Sequence, residues 1–280
     1  MAPSKHGLST KDLSGRLVVV TGAGSGIGRE LSIICARRGA TLAICDLNPA
    51  GLEGTAKDVR TIGAQVVDQV VDVSDLAQMN SFAKEVIERL GTPDLLINNA
   101  GIAVIGGILD TTPADWDRLI GVNLMGVVNG NSAFLPAMVA RGRGHVVNLS
   151  SAAGLLANPQ LGAYSATKFG VLGLSEALRM ELKPLGVGVT AACPGLINTA
   201  ITQVSPYRGG NGDARRDKAT AIYAKRGYSP HRAATNILRA VDRDKAVAPI
   251  APEAHAMYVL SRLAPPLARW TSMALAKIAE

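Results

Sequence analysis

Residues 16–30, RLVVVTGAGSGIGRE, decide the fold. The apolar run from Leu17 to Val20 has no polar break, as expected of a strand buried on both faces. A glycine-rich turn follows at once, TGAGSGIG at 21–28. The next residues, GIGRELSIICARRGA, place apolar side chains at helical spacing, with Gly39 as a stop. Strand, glycine turn and helix in this order make a cradle for a phosphate. Gly22 permits the turn, and Gly26 removes the Cβ that would block a pyrophosphate. Gly28 lets helix and strand pack closely, and the helix N-terminus offers N–H donors to the anion. Without its flanking elements the same run would be an ordinary glycine-rich loop.

The alternation continues along the chain. TLAICD (41–46) is a second apolar strand, and Asn48-Pro49 opens a helix through Ile62. AQVVDQVVDV (64–73) predicts a third strand, and Ser74 an N-cap for a helix over 75–90, closed by Gly91. DLLIN (94–98) is the fourth strand, residues 113–140 a long helix with Pro113 in its first turn, and HVVNLS (145–150) the fifth strand. A helix over 162–183 and the strand GVGVTAAC (186–193) follow. After a Gly/Arg-rich excursion come a helix from Pro230 to Val241 and a short strand, KAVAPI. This βαβα order implies one α/β domain over 1–280, a single doubly wound parallel sheet with helices on both faces. There is no internal repeat. Residues 200–229 read as a flap on that domain and 252–280 as a basic tail.

Composition narrows the classes further. Of the 280 residues, 48% are hydrophobic and 18% charged, which excludes a disordered chain. No apolar run approaches the roughly 20 residues of a membrane span. The opening MAPSKHGLSTKDLSG lacks the apolar core of a secretory signal. Cys35, Cys45 and Cys193 each sit in an apolar stretch and read as free thiols of a reducing compartment, the cytoplasm. The net charge of +7 lies wholly in residues 205–280, which hold 13 basic and 6 acidic side chains. A solvated surface accounts for this, and so would attraction to an anionic substrate or lipid. Nucleic acid is not expected, since aromatics are only 4% and no binding motif is present. The histidines at 6, 145, 231 and 255 share no metal-site spacing, and His145, at the start of a strand, reads as structural.

Asp46 ends the second strand 18 residues after Gly28, near the roughly 20-residue offset of a ribose-binding acid. A carboxylate there accepts from both adenosine hydroxyls and repels a 2′-phosphate. With Ser25 and Leu47 in place of basic residues, NAD is favoured over NADP. The alternative is that Asp46 caps the helix at Asn48-Pro49.

With the glycine turn spaced TGxxxGxG, four further motifs occur in order: Asp72-Val73, NNAG at 98–101, YSATK at 164–168, and CPG at 193–195 with Thr199. Together these resemble the short-chain dehydrogenase/reductase family from about Gly15 to Ile250. The resemblance implies a Rossmann-type enzyme transferring hydride between NAD and an alcohol or carbonyl. It implies a cofactor held by Gly22, Ser25, Gly26, Ile27 and Gly28 at the phosphates, and by Asp46, Leu47, Asp72 and Val73 at the adenosine. Asn99, Ala100 and Gly101 would line its middle, and Tyr164, Lys168, Pro194, Gly195, Ile197 and Thr199 its nicotinamide end. It assigns catalysis to Asn123, Ser151, Tyr164 and Lys168, with Asn123 kinking the long helix within a proton relay.

The chemistry of the tyrosine can be argued separately. Tyr164 and Lys168 are four apart on a helix and share a face. An ammonium beside a phenol stabilises the phenolate, so Tyr164 can take an alcohol proton or return it to a carbonyl. An isolated pair of this kind would be an ordinary surface feature. Ser151 stands 13 residues before Tyr164, as in the family, and strand alternation turns Ser150 to the other face. Asn98 and Asn99 would otherwise read as turn residues.

The segments expected to line the substrate, 102–109 and 152–161, are almost wholly apolar and suit a steroid-like or fatty-chain compound. The flap adds Arg208, Arg215, Arg216, Lys218, Lys225 and Arg226, either a solvated lid or a reader of an acidic group. In the tail, Leu267, Trp270, Ala274 and Ile278 recur at helical spacing, beside Arg262, Arg269 and Lys277. They fit a subunit or lid contact better than a peripheral membrane contact. Small and apolar residues of the long helices, Gly126, Gly130, Gly170, Gly173, Leu174 and Ala177, point to a homo-oligomer, and the resemblance implies the main subunit interface there. A second interface through the tail would make it a tetramer; the alternative is that both helices simply cover the sheet and the tail is free. The rival function is a catalytically idle dinucleotide-binding regulator or scaffold.

Overall fold

The computed structural model describes residues 8–279, with side chains through 274. The leader reading of residues 1–7, His6, and the side chains of Lys277 and Ile278 lie outside the described residues. Seven strands form one sheet: β1 (Leu17–Thr21), β2 (Thr41–Asp46), β3 (Val66–Val70), β4 (Leu95–Asn98), β5 (Gly144–Leu149), β6 (Val187–Pro194) and β7 (Val247–Ile250). Their spatial order is β3-β2-β1-β4-β5-β6-β7 and every pairing is parallel. The order reverses direction between β1 and β4, which opens a crevice at the carboxyl ends of these strands.

Successive strand residues feed opposite cores, which is why β1 reads as unbroken valine. Val18 and Val20 pack toward α1 (Gly26–Arg37), α2 (Pro49–Thr61) and α9 (Pro230–Asp242). Leu17 and Val19 pack toward α3 (Leu76–Leu90) and the long helices beyond it, against Phe82, Phe134 and Met138.

Some elements differ from expectation. The third strand keeps only residues 66–70 of 64–73. Asp75, not Ser74, caps α3: its Oδ1 accepts from the N–H groups of Ala77 and Gln78. The Ser74 hydroxyl instead donates to Asp72 at 2.6 Å. The long helix at 113–140 is three pieces: α4 (Pro113–Leu119), a π-helical turn (Ile120–Met125) and α5 (Gly126–Arg141). α6 (Gly162–Leu182) follows β5 after a 3₁₀ turn at Ala152–Gly154. The flap contains α7 (Ile201–Val204) and α8 (Gly212–Arg226), and the tail forms α10 (Pro252–Leu263) and α11 (Pro265–Ala279). Among the described residues no helix is long and apolar enough to cross a membrane.

α11 packs against α8, and Ser272 donates to the Ala157 carbonyl at 2.6 Å. Its inward side is Ala268 and Ser272, whereas Leu267 and Trp270 are exposed. Gly126 and Gly130 likewise face their own sheet: a Cβ would lie 2.7 Å from Val73 Cγ2 and 2.1 Å from Asn98 Oδ1 respectively. They serve the core, not a subunit face.

The amino ends of the strands are held by polar knots. Asp94 accepts from the Leu17 N–H and pairs with Arg16 and Arg141, and Arg141 also donates to the carbonyls of Thr92 and Pro93. Arg179 grips Asp244 through two 2.8 Å bonds. His145 is buried with Nε2 2.9 Å from Thr190 Oγ1, and burial pushes its pKa from 6.5 down to about 4. Above pH 6.5 it is neutral folded or unfolded. Below that the unfolded chain takes a proton the folded one refuses, so stability falls from pH 6.5 toward 4, by at most ~3 kcal/mol from this group. Denaturant titrations of His145→Gln should show a flatter dependence over that window.

Candidate active site

The turn after β1 fits a dinucleotide phosphate. A Cβ at Gly22 would lie 2.6 Å from the Ala100 Cα, and one at Gly28 2.1 Å from the Gly22 carbonyl oxygen. Gly26 has φ +53°, and a Cβ there would point at Thr199 Cγ2, 3.2 Å away. Ser25 precedes α1 but makes no side-chain cap, so Ile27 and its neighbours in the first turn keep N–H groups for an anion.

At the end of β2, Asp46 Oδ2 accepts from the Gly24 N–H and Oδ1 from the Asn48 N–H, both at 2.8 Å. The cap of α2 is Asn48, which accepts from Gly51, so the capping alternative for Asp46 does not apply. Leu47 beside it is exposed. Gly24 packs against this acid, because a Cβ there would stand 2.9 Å from the Asp46 carboxylate. Only its place inside the glycine run hinted at that role. Asp72 and Val73 follow β3. Asp72 takes the N–H and hydroxyl of Ser74, and Asn129 of α5 donates to the Val73 carbonyl at 2.9 Å.

The NNAG residues link the sheet to the turn. Buried Asn98 donates to Asn131 and Asn148, inside the sheet and not in a turn. Asn99 donates to the carbonyls of Thr21 and Gly22, while Thr21 Oγ1 accepts from the N–H groups of Asn99 and Ala100.

Asn123, Ser151, Tyr164 and Lys168 converge above the carboxyl end of β5. The π-helical turn swings Asn123 inward, where it exchanges two hydrogen bonds with the Ile102 backbone and donates to Thr167 at 3.1 Å. Lys168 is buried and donates to the Leu149 carbonyl at 2.8 Å; its Nζ lies 5.7 Å from the Tyr164 ring centroid. A Cβ at Gly101 would touch Asn123 Oδ1 and Lys168 Nζ equally, at 3.3 Å. Burial raises the Tyr164 phenol and a hydrogen bond from Ser151 opposes it. Burial also brings the Lys168 ammonium down to about 8. Ser150 faces away and donates to the Lys168 carbonyl at 2.7 Å.

Behind them run Pro194 and Gly195 at the end of β6, with Ile197 buried and Thr199 against Gly26. The phosphate turn and this loop thus face each other across one crevice. Cys193 is buried beneath it as a thiol, pushed up to about 12. Among the described residues no three His, Cys, Asp or Glu side chains are placed to hold a metal.

The flap closes over the front. Ile105 bonds with Pro206 and Arg208 through the backbone, and Gly106 with Gln160. Arg208 grips the carboxylate of Asp115 at 2.9 and 2.7 Å, which holds that acid down at about 2. Arg215 reaches Gln160, Arg216 reaches Asp213, and Arg226 reaches Glu253. Most flap arginines are therefore spent on the protein itself. Under the flap remains a cavity of about 70 Å³, lined by Ile102, Val104, Ile201 and Val204 together with the polar Arg118 and Ser205. A larger one of about 490 Å³ opens outside it, with Asp110, Gln160, Arg215 and Lys218 in its lining and without Tyr164. Burial raises the Tyr223 phenol of α8, and the charge Tyr164 would carry as a phenolate adds to that cost. No local pattern marked Tyr223.

Residues 16–207 match the family model described as short chain dehydrogenase. EphD of Mycobacterium tuberculosis, named a probable oxidoreductase, is 41% identical over 262 residues, covering 91% of this chain and 44% of EphD. The chain thus spans under half of that relative's length. SadH of the same organism, also named an oxidoreductase, is 38% identical over 255 residues, covering 89% of this chain and 91% of SadH. The solved structure of a short chain dehydrogenase/reductase from Burkholderia phymatum in complex with NAD superposes with a TM-score of 0.84 and 31% identity, covering 92% and 96% of the two chains. The chain belongs to the short-chain dehydrogenase/reductase family.

Proposed function

We propose that the protein is an NAD-dependent oxidoreductase acting on a secondary alcohol or ketone of lipophilic character. One observation carries this: Ser151 bonded to Tyr164, with Lys168 buried beside that ring, stands across a crevice from an uncapped, glycine-lined helix N-terminus. The bound dinucleotide supplies the hydride acceptor or donor. Ser151 orients the substrate oxygen. Tyr164 takes the hydroxyl proton at its phenol oxygen in oxidation and returns it in reduction. Lys168, next to the ring, favours the phenolate that burial alone would disfavour. Asn123, locked to Ile102 and bordering Lys168, serves the relay that resupplies the proton. Asp46, fixed by two backbone N–H groups, supports NAD over NADP.

The aliphatic residues of the small cavity support a lipophilic substrate, with Arg118 and Ser205 as polar exceptions, and its size implies that the flap shifts to admit one. A homo-oligomer is supported by a stripe on α6, Ala166, Phe169, Gly173, Ala177 and Met180, all exposed, with exposed Ile120 and Met125 on the facing helix. Three buried free thiols support a cytoplasmic setting. A panel of secondary alcohols and ketones, graded in chain length and ring number, should produce an NADH absorbance change with its larger members. NADH binding without turnover on any member favours the idle regulator.

A further inference from the structure

Glu253 stands in the first turn of α10, in the tail. After β7 the chain turns at Ala251 with φ +93°, a conformation that favours glycine, and α10 starts from this strained corner beside the loop that follows β6. An acid in a first turn ordinarily serves its own helix. This one reaches away from it. Its side chain is 18% exposed, and its two oxygens go to two other elements. Oε1 accepts from the Leu196 N–H at 2.7 Å, and Oε2 pairs with Arg226, the last residue of α8. Gly195 makes room for it, since a Cβ there would lie 2.4 Å from Oε1.

The carboxylate is therefore wedged behind the 194–199 loop and tied to the end of the flap helix. A loop of this kind has few other anchors: the Gly195 N–H donates to the Ile250 carbonyl and the Asn198 N–H to that of Tyr228. A charged acceptor on a backbone N–H is stronger than a neutral one. We propose that Glu253 is a positioning residue that holds the 194–199 loop in the shape needed to grip the nicotinamide end of the cofactor. This rests on the proposed NAD-dependent function.

The test compares two ligands on purified full-length protein, NADH and ADP-ribose. ADP-ribose keeps the adenosine and diphosphate, which meet the glycine turn and Asp46, and lacks the nicotinamide. Glu253→Met keeps the length of the side chain and removes both acceptors; Glu253→Gln keeps an acceptor for Leu196. For Glu253→Met, NADH should bind about tenfold more weakly while ADP-ribose binds as before. The KM for NAD should rise by a similar factor, with a smaller fall in kcat. Glu253→Gln should retain most of the NADH affinity. Unchanged NADH binding in Glu253→Met overturns the proposal. So does equal loss of both ligands, which marks a general structural role, or a glutamine variant no better than methionine. Wild-type protein that binds neither ligand instead refutes the NAD reading itself.

Discussion

Tyr164→Phe should lower kcat by about a thousandfold while NADH affinity stays within about twofold. The phenol oxygen is the only atom removed, and the ring that Lys168 stands beside remains. Ser151 keeps its place, because its hydroxyl also accepts from the Ala153 N–H at 3.1 Å and so caps the 3₁₀ turn. What is lost is the atom that carries the proton between substrate and protein. Turnover followed at 340 nm, with NADH binding followed separately by fluorescence, divides the chemical step from cofactor affinity. Turnover at the wild-type rate would mean that another group moves the proton, and Tyr223, whose phenol feels the charge of Tyr164, would be next to test.

The second large effect is expected at Asp46. Asp46→Ala should weaken NADH by about tenfold and strengthen NADPH by about tenfold, a swing of about a hundredfold in preference. Two things change together in that variant: the negative charge goes, and the N–H groups of Gly24 and Asn48 lose their acceptor. Asp46→Asn separates them. It keeps the size of the side chain and an acceptor oxygen while removing the charge, so improved NADPH binding in this variant assigns the discrimination to repulsion of the 2′-phosphate. If neither variant changes the ratio of the two dissociation constants, the carboxylate has no part in cofactor choice.

Those two residues could be proposed from the sequence because their chemistry demands a residue type at a fixed offset. The same holds for the strands: a parallel sheet covered on both faces gives runs such as Leu17–Val20, in which neighbours supply different cores. Legibility ended where two local candidates competed. Ser74 and Asp75 can both cap a helix, and the contest was settled by Asp72, which engages the serine. It ended again at α8, which buries no residue fully and so shows no apolar stripe to reveal it. Gly126 and Gly130 were placed on the wrong face because a glycine's own identity does not say which neighbour it makes room for. Glu253 was invisible for another reason: its partner Leu196 lies 57 residues away, and only the pairing of β6 with β7 brings the loop and the start of α10 together.

The polar knots at the amino ends of the strands have a bearing on how such a chain changes over generations. Asp94, His145 and Asp244 are gathered at one rim of the sheet, while the proposed chemistry and the flap occupy the other. Replacements that widen the flap for a new substrate will on average cost stability. Compensating changes around Arg141 or Arg179 can restore it without touching any group that meets the cofactor. The two rims can therefore drift under separate selection, one for persistence and one for chemistry, and an engineer can work on them in either order.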